Sequence, residues 1–75
     1  MKADVSIDTT GLFCPIPIVK TAQKMAELKS GQTLEVISDD EGIKSDMPAW
    51  CRTTGNEFLE TVEEGGVFKV TVRKR

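Results

Sequence analysis

The sequence predicts a two-layer α/β sandwich, a four-stranded mixed sheet covered on one face by two helices in the order β-α-β-α-β-β. Three observations predict it. Four segments alternate apolar and polar residues with a period of two, two others place apolar residues at helical spacing, and each helical segment lies between strands. At 75 residues the chain is read as a single domain, residues 1–75. A domain near this size buries only about 60% of the surface its unfolded chain exposes. Its chemistry is therefore expected at the surface, completed by a partner.

The elements follow in order. Ala3, Val5 and Ile7 alternate with Asp4, Ser6 and Asp8, giving a first strand with one buried face. Thr9 to Phe13 form a loop containing Gly11. From Ile18 the period becomes helical: Ile18, Val19, Ala22, Met25 and Ala26 share one face, and Lys20, Gln23, Lys24 and Glu27 the other. Gly31 reads as the helix C-cap. Leu34 and Val36 alternate with Thr33 and Glu35 in a second strand, followed by the acidic turn Asp39-Asp40-Glu41-Gly42. Ile43, Met47, Trp50, Cys51 and Thr54 fit a second amphipathic helix closed by Gly55. Pro48 suits a first turn and places the regular helix start near Ser45 or Asp46. Glu57 to Val62 and Val67 to Val72 read as strands joined by a hairpin turn at Glu63-Glu64-Gly65-Gly66.

One apolar face per strand puts both helices on the same side of the sheet. The first crossover makes strands one and two parallel. Both helices then begin at one rim, which brings Cys14 near the Asp39-Asp40 turn. In open α/β sheets that rim is where ligands bind.

Composition narrows the function. Ten Lys and Arg against 12 Asp and Glu give a net charge of −2, which argues against nucleic acid as the main ligand. Arg73, Lys74 and Arg75 read as a solvated tail. Met1-Lys2-Ala3-Asp4 leads straight into a strand pattern, so no signal peptide is expected, and a cytoplasmic location with reduced thiols follows. The longest apolar stretch, Leu12 to Val19, holds two prolines and is too short to span a membrane. Two cysteines and no His rule out a self-contained Cys–His hydrolase. They also leave no complete zinc site without carboxylates or a second chain, and no metal is expected. A thiol redox role is disfavoured, because there is no C-x-x-C pair.

The informative segment is Asp8-Thr9-Thr10-Gly11-Leu12-Phe13-Cys14-Pro15-Ile16-Pro17. A lone Cys is more often a buried, inert residue. Here prolines flank Cys14 at a strand-to-helix junction, which favours a functional thiol. Pro15 pushes Cys14 out of the helical region, the backbone state of an N-cap, and itself suits the first helical position. With Cys14 as N-cap, only the Cys14 and Ile16 amides are left to face a sulfur anion. A helix N-terminus stabilises an anion by roughly 0.3–1 kcal/mol, up to about 2 when partly buried. One pKa unit is about 1.36 kcal/mol. The thiol is thus expected to fall by roughly one unit, with Asp39 and Asp40 opposing. Leu12, Phe13 and Ile16 form an apolar rim suited to docking a partner. Cys51, beside Trp50 on the core face, reads as packing, as do Trp50 and Met47.

The chain resembles the TusA/SirA-like sulfur carriers, whose motif sets an Asp, a Gly and Cys-Pro-x-Pro ahead of the first helix, here Asp8, Gly11, Cys14, Pro15 and Pro17. Asp39-Asp40, Asp46 to Cys51 and Gly55-Asn56-Glu57 extend the likeness over nearly the whole chain. The resemblance implies a four-stranded two-layer sandwich and a sulfurtransferase-like carrier with a persulfide intermediate on Cys14. It implies a cysteine desulfurase as donor, a downstream sulfur-relay protein as acceptor, and no cofactor on the carrier. Thr10, Phe13 and Ile16 stand where the tRNA-thiolation members carry Arg, Arg and Glu, so this rim is more apolar and less basic. Pathways through thiolated tRNA, molybdenum cofactor, sulfur oxidation or selenium stay open. A monomer with no direct nucleic-acid or membrane contact is expected. The competing reading is a non-catalytic partner-binding or regulatory module of the same fold.

Overall fold

The computed structural model describes residues 3–75; the Met1-Lys2 pair used in the signal-peptide reading lies outside the described residues. Its elements are β1 (Val5–Asp8), α1 (Ile16–Met25), β2 (Thr33–Ser38), α2 (Ile43–Thr54), β3 (Glu57–Glu64) and β4 (Val67–Arg73). The sheet order is β1-β2-β4-β3. β1 and β2 run parallel, while β4 is antiparallel to both β2 and β3. This is the expected mixed sheet. The core joins Leu34 and Val36 of β2 and Phe68, Val70 and Val72 of β4 to Met25 of α1 and Ile43, Met47 and Cys51 of α2. Residues of alternate register, such as Ser6 and Glu35, lie on the other face, where the Ser6 hydroxyl donates to the Glu35 carboxylate at 3.1 Å.

Several boundaries differ from the sequence expectation, each for a local reason. β1 begins at Val5 rather than Ala3, because the Asp4 carboxylate takes over there and accepts from the Thr33 amide and hydroxyl at 2.9 and 3.2 Å. The inward face of α1 is Pro17, Thr21 and Met25 with Ile18 alongside, whereas Val19, Ala22 and Ala26 face solvent. Thr21 tolerates full burial because its hydroxyl donates to the Pro17 carbonyl at 2.7 Å. α1 stops at Met25 and tightens into i→i+3 turns at Glu27 and Leu28. Gly31 is therefore not its cap. It holds φ at 90° in the turn before β2 and donates its N–H to the Lys74 carbonyl.

α2 begins at Ile43, two or three residues earlier than Pro48 suggested, since the acidic turn winds directly into it through Ile43 N–H to Asp40 C=O and Lys44 N–H to Glu41 C=O. Pro48 thus sits inside the helix, at the cost of the donor that the Lys44 carbonyl would otherwise meet. Gly55 does close α2, at φ 80°. The hairpin strands run longer than expected and leave Gly65 and Gly66, both at positive φ, as the two-residue turn. The basic C-terminus is exposed at Arg73 and Arg75, as expected, but is also tied down: Arg73 pairs with Glu57 at 2.9 Å, Lys74 Nζ donates to the Met25 carbonyl, and the Arg75 amide donates to Asn56.

Met47 is fully buried between α2 and the sheet. Met47→Ala should destabilise the fold by about 2–5 kcal/mol, the range for emptying a large core site, measured as a lowered midpoint in chemical denaturation with unchanged slope.

Candidate functional site

The site is built where the β1–α1 and β2–α2 connections meet. At the end of β1 the Asp8 carboxylate accepts from the Thr10 amide and hydroxyl at 2.9 and 2.8 Å, turning the chain. These two bonds hold its carboxyl below the usual carboxylate range. Thr9 is buried and directs both its amide and its hydroxyl to the Ile37 carbonyl of β2. Gly11 then adopts φ 82°, a left-handed conformation that favours glycine. Its amide donates to Asp39 Oδ1 at 3.1 Å. Three residues on, the Cys14 amide donates to Asp40 Oδ2 at 3.0 Å. The rim expected from topology is thus stitched by side chain to backbone.

The helix start falls one residue later than Cys14. Pro15 is the N-cap, with Pro17 in the first turn. The two amides expected to face the sulfur are both engaged elsewhere, Cys14 N–H with Asp40 and Ile16 N–H with the Phe13 carbonyl at 2.8 Å. The thiol instead donates to Asp46 Oδ2 of α2 at 3.0 Å. Its pKa is accordingly raised, not lowered: first by that hydrogen bond, which stabilises the protonated form, then by desolvation, then by the charges of Asp46 and Asp40.

Asp46 was read from sequence as a possible helix start and as part of the family likeness, not as a partner of Cys14. The signal was present: a residue in the first turn of α2 lies on the same rim as the start of α1. The shallow cleft between the helices is lined by Cys14, Pro17, Ile18, Asp40, Ile43 and Asp46 and leaves no room for a water molecule. Outside it Phe13 is 78% exposed, and Ile16 and Val19 are also exposed, with Leu12 half-buried, so the thiol sits beside an apolar strip. A wider groove of about 190 Å³ lies along another face of α1, between Lys20, Lys24 and Glu27 and the Ile7–Thr9 segment.

The family model described as Sulfurtransferase TusA matches residues 5–74. The chain belongs to the TusA family of sulfur carriers. It is 41% identical to the sulfur carrier protein TusA of Allochromatium vinosum, covering 95% of this chain and 93% of that one. It is 46% identical to the YrkI protein of Bacillus subtilis over 99% of both chains. The match to YrkF of the same organism, 45% identical, spans only 40% of that longer protein. Among solved structures, the SirA-like protein of Desulfitobacterium hafniense superposes with a TM-score of 0.75 at 29% identity, covering 92% of this chain and 95% of that one. A TusA-type carrier works between a sulfur donor and an acceptor protein. No helix among the described residues is long and apolar enough to cross a membrane.

The two cysteines differ sharply. Cys51 is 2% exposed within the core, and burial pushes its thiol up to about 11. Iodoacetamide should therefore modify the native protein on Cys14 alone, with Cys51 reacting only after denaturant is added. Peptide mapping of the two samples checks this.

Proposed function

We propose that Cys14 accepts sulfur as a persulfide from a donor of the cysteine desulfurase class and relays it to an acceptor protein in a cytoplasmic sulfur-trafficking route. The observation that carries this reading is an exposed thiol at a helix start, flanked by an exposed apolar strip, in a chain whose other thiol is buried. In the loading step the Cys14 thiolate attacks the outer sulfur of the donor's persulfide. A Cys14 Sγ–S bond forms, the donor's S–S bond breaks, and the donor cysteine leaves as a thiolate, so nothing is oxidised or reduced overall. Unloading is the same exchange with an acceptor thiolate as nucleophile. The chain has no His, so the Cys14 proton leaves to a partner group or to solvent.

The surrounding residues have supporting roles in this reading. Asp8 and Gly11 shape the loop, Pro15, Ile16 and Pro17 set the helix start, and Leu12 and Phe13 dock the partner. The carrier itself uses no cofactor; pyridoxal phosphate belongs to the donor. The apolar, non-basic strip suits a protein surface rather than direct contact with nucleic acid, and a monomer passed between enzymes fits these roles.

Incubation with a cysteine desulfurase, cysteine and pyridoxal phosphate should add one sulfur to the parent protein by intact mass and none to Cys14→Ser; loading of that variant at the parent rate would overturn the reading. Phe13→Glu should slow loading from the desulfurase while leaving the alkylation rate of Cys14 by iodoacetamide unchanged. Equal slowing of both would place Phe13 in the local fold instead of the docking surface.

A further inference from the structure

The Asp46 contact reaches across 32 residues of sequence to the one sulfur the carrier chemistry needs, and the family resemblance gives it no role. A hydrogen bond from Sγ requires a proton on Sγ. In a persulfide Sγ is bonded to Cβ and to the outer sulfur and carries none. A proton-free sulfur and a carboxylate oxygen held at 3.0 Å repel through their lone pairs. The outer sulfur ionises more readily than a thiol, and its anion meets the charges of Asp46 from α2 and Asp40 from the β2–α2 turn. The other cleft residues, Pro17 and Ile18 of α1 and Ile43 of α2, are uncharged and offer it no counter-ion. The cleft has no room even for a water molecule, so an added sulfur does not fit inside it. Lost hydrogen bond, charge repulsion and lack of space act in the same direction.

We propose that Asp46 is a positioning residue for sulfur transfer: it keeps the unloaded Cys14 side chain turned into the α1–α2 cleft and releases it once the outer sulfur is attached. This rests on Cys14 being the sulfur acceptor. Loading then changes the shape of the rim, and the empty and charged carriers present different surfaces to donor and acceptor. In the empty state the thiol is kept protonated, so removing the carboxylate increases the thiolate fraction at any pH below the titration midpoint.

Two measurements, both free of any desulfurase, test this. The pH profile of Cys14 alkylation by iodoacetamide should shift to lower pH in Asp46→Asn, with several-fold faster reaction at pH 7. Asp46→Glu, which keeps the charge, should stay close to the parent. For the second, the parent is loaded with sodium tetrasulfide. The Cys14 thiolate attacks a terminal sulfur, a Cys14 S–S bond forms, and trisulfide leaves with the electron pair of the broken S–S bond. Proton–proton contacts by NMR between the Cys14 β-carbon and the Ile18 and Ile43 side chains should be present in the empty protein and lost in the loaded one. An unshifted pH profile in Asp46→Asn, or cleft contacts that persist in the loaded parent, would overturn the proposal. A protein that passes both tests but takes no sulfur from a desulfurase would instead refute the relay reading and leave the switch standing.

Discussion

The geometry of this protein depends on one pair of charge-assisted hydrogen bonds, Asp39 Oδ1 to the Gly11 amide and Asp40 Oδ2 to the Cys14 amide. They are possible because β1 and β2 are parallel neighbours, so both strands release their chains at the same rim. The Gly11–Cys14 loop has no strand partner. The β2–α2 turn supplies two carboxylates that take the loop's Gly11 and Cys14 amides in place of water. Bonds from an amide to an ionised acceptor are about twice as strong as neutral ones, which suits a loop this short. The same pair fixes where the sulfur goes: with its amide held by Asp40, Cys14 lies within reach of Asp46, the next carboxylate along the chain after Glu41.

The cost of that arrangement is electrostatic. A helix N-terminus alone draws a thiol down, by an amount worth about 0.3–1 kcal/mol at a surface site. α1 starts with prolines at Pro15 and Pro17, and the neighbouring amides are already bonded, so little of that attraction reaches the sulfur. Against it stand a direct hydrogen bond to the protonated form and two nearby negative charges. The carboxylates win. A catalytic thiolate enzyme is built the other way, with cationic neighbours that keep the sulfur ionised. A carrier has a different requirement. If Cys14 carries the sulfur, as proposed, its thiol waits between partners, and susceptibility to oxidation follows thiolate character and exposure. An exposed sulfur kept protonated is less open to oxidation yet stays within reach of a partner, unlike the enclosed Cys51.

Most of the architecture was legible because it rests on periodicity. The alternation in Val5–Asp8 and Thr33–Ser38 and the Ile43, Met47, Cys51 spacing each report a single buried face, and Val67–Arg73 does so except at Thr71, which is buried on the opposite face of the central strand β4. The errors arise where a polar residue is satisfied locally. Thr21 was left out of the inward face assigned to α1, yet it is buried with its hydroxyl bonded within its own helix, and the true face is rotated by about one position. Pro48 was read as a start signal, although tertiary packing of Ile43 and Met47 outweighs the bond it removes. At the site, Cys14 and its loop were visible in the motif. The direction of its pKa was not, because the sign depends on whether two particular amides face the sulfur and on one carboxylate, Asp46, brought in by the fold from a different element.

The remaining constraint is on binding strength. On the relay reading proposed above, the carrier must leave each partner after exchange, so the apolar strip proposed to dock it has to be small. Phe13 projects with 78% of its surface exposed, and burying an aromatic side chain of this kind yields about 3 kcal/mol before the losses of association are counted. Ile16, Val19 and Leu12 add a little more. The costs of association, roughly 4 kcal/mol or more, offset a surface of this size except when a partner adds contacts of its own. Such a patch supports transient complexes of the kind that bury little area. On the same reading, with no His in the chain and the thiol hydrogen-bonded to Asp46, the docked partner must also draw the proton away before sulfur can move. Affinity and reactivity are therefore both incomplete in the isolated protein, and each is completed by the same encounter.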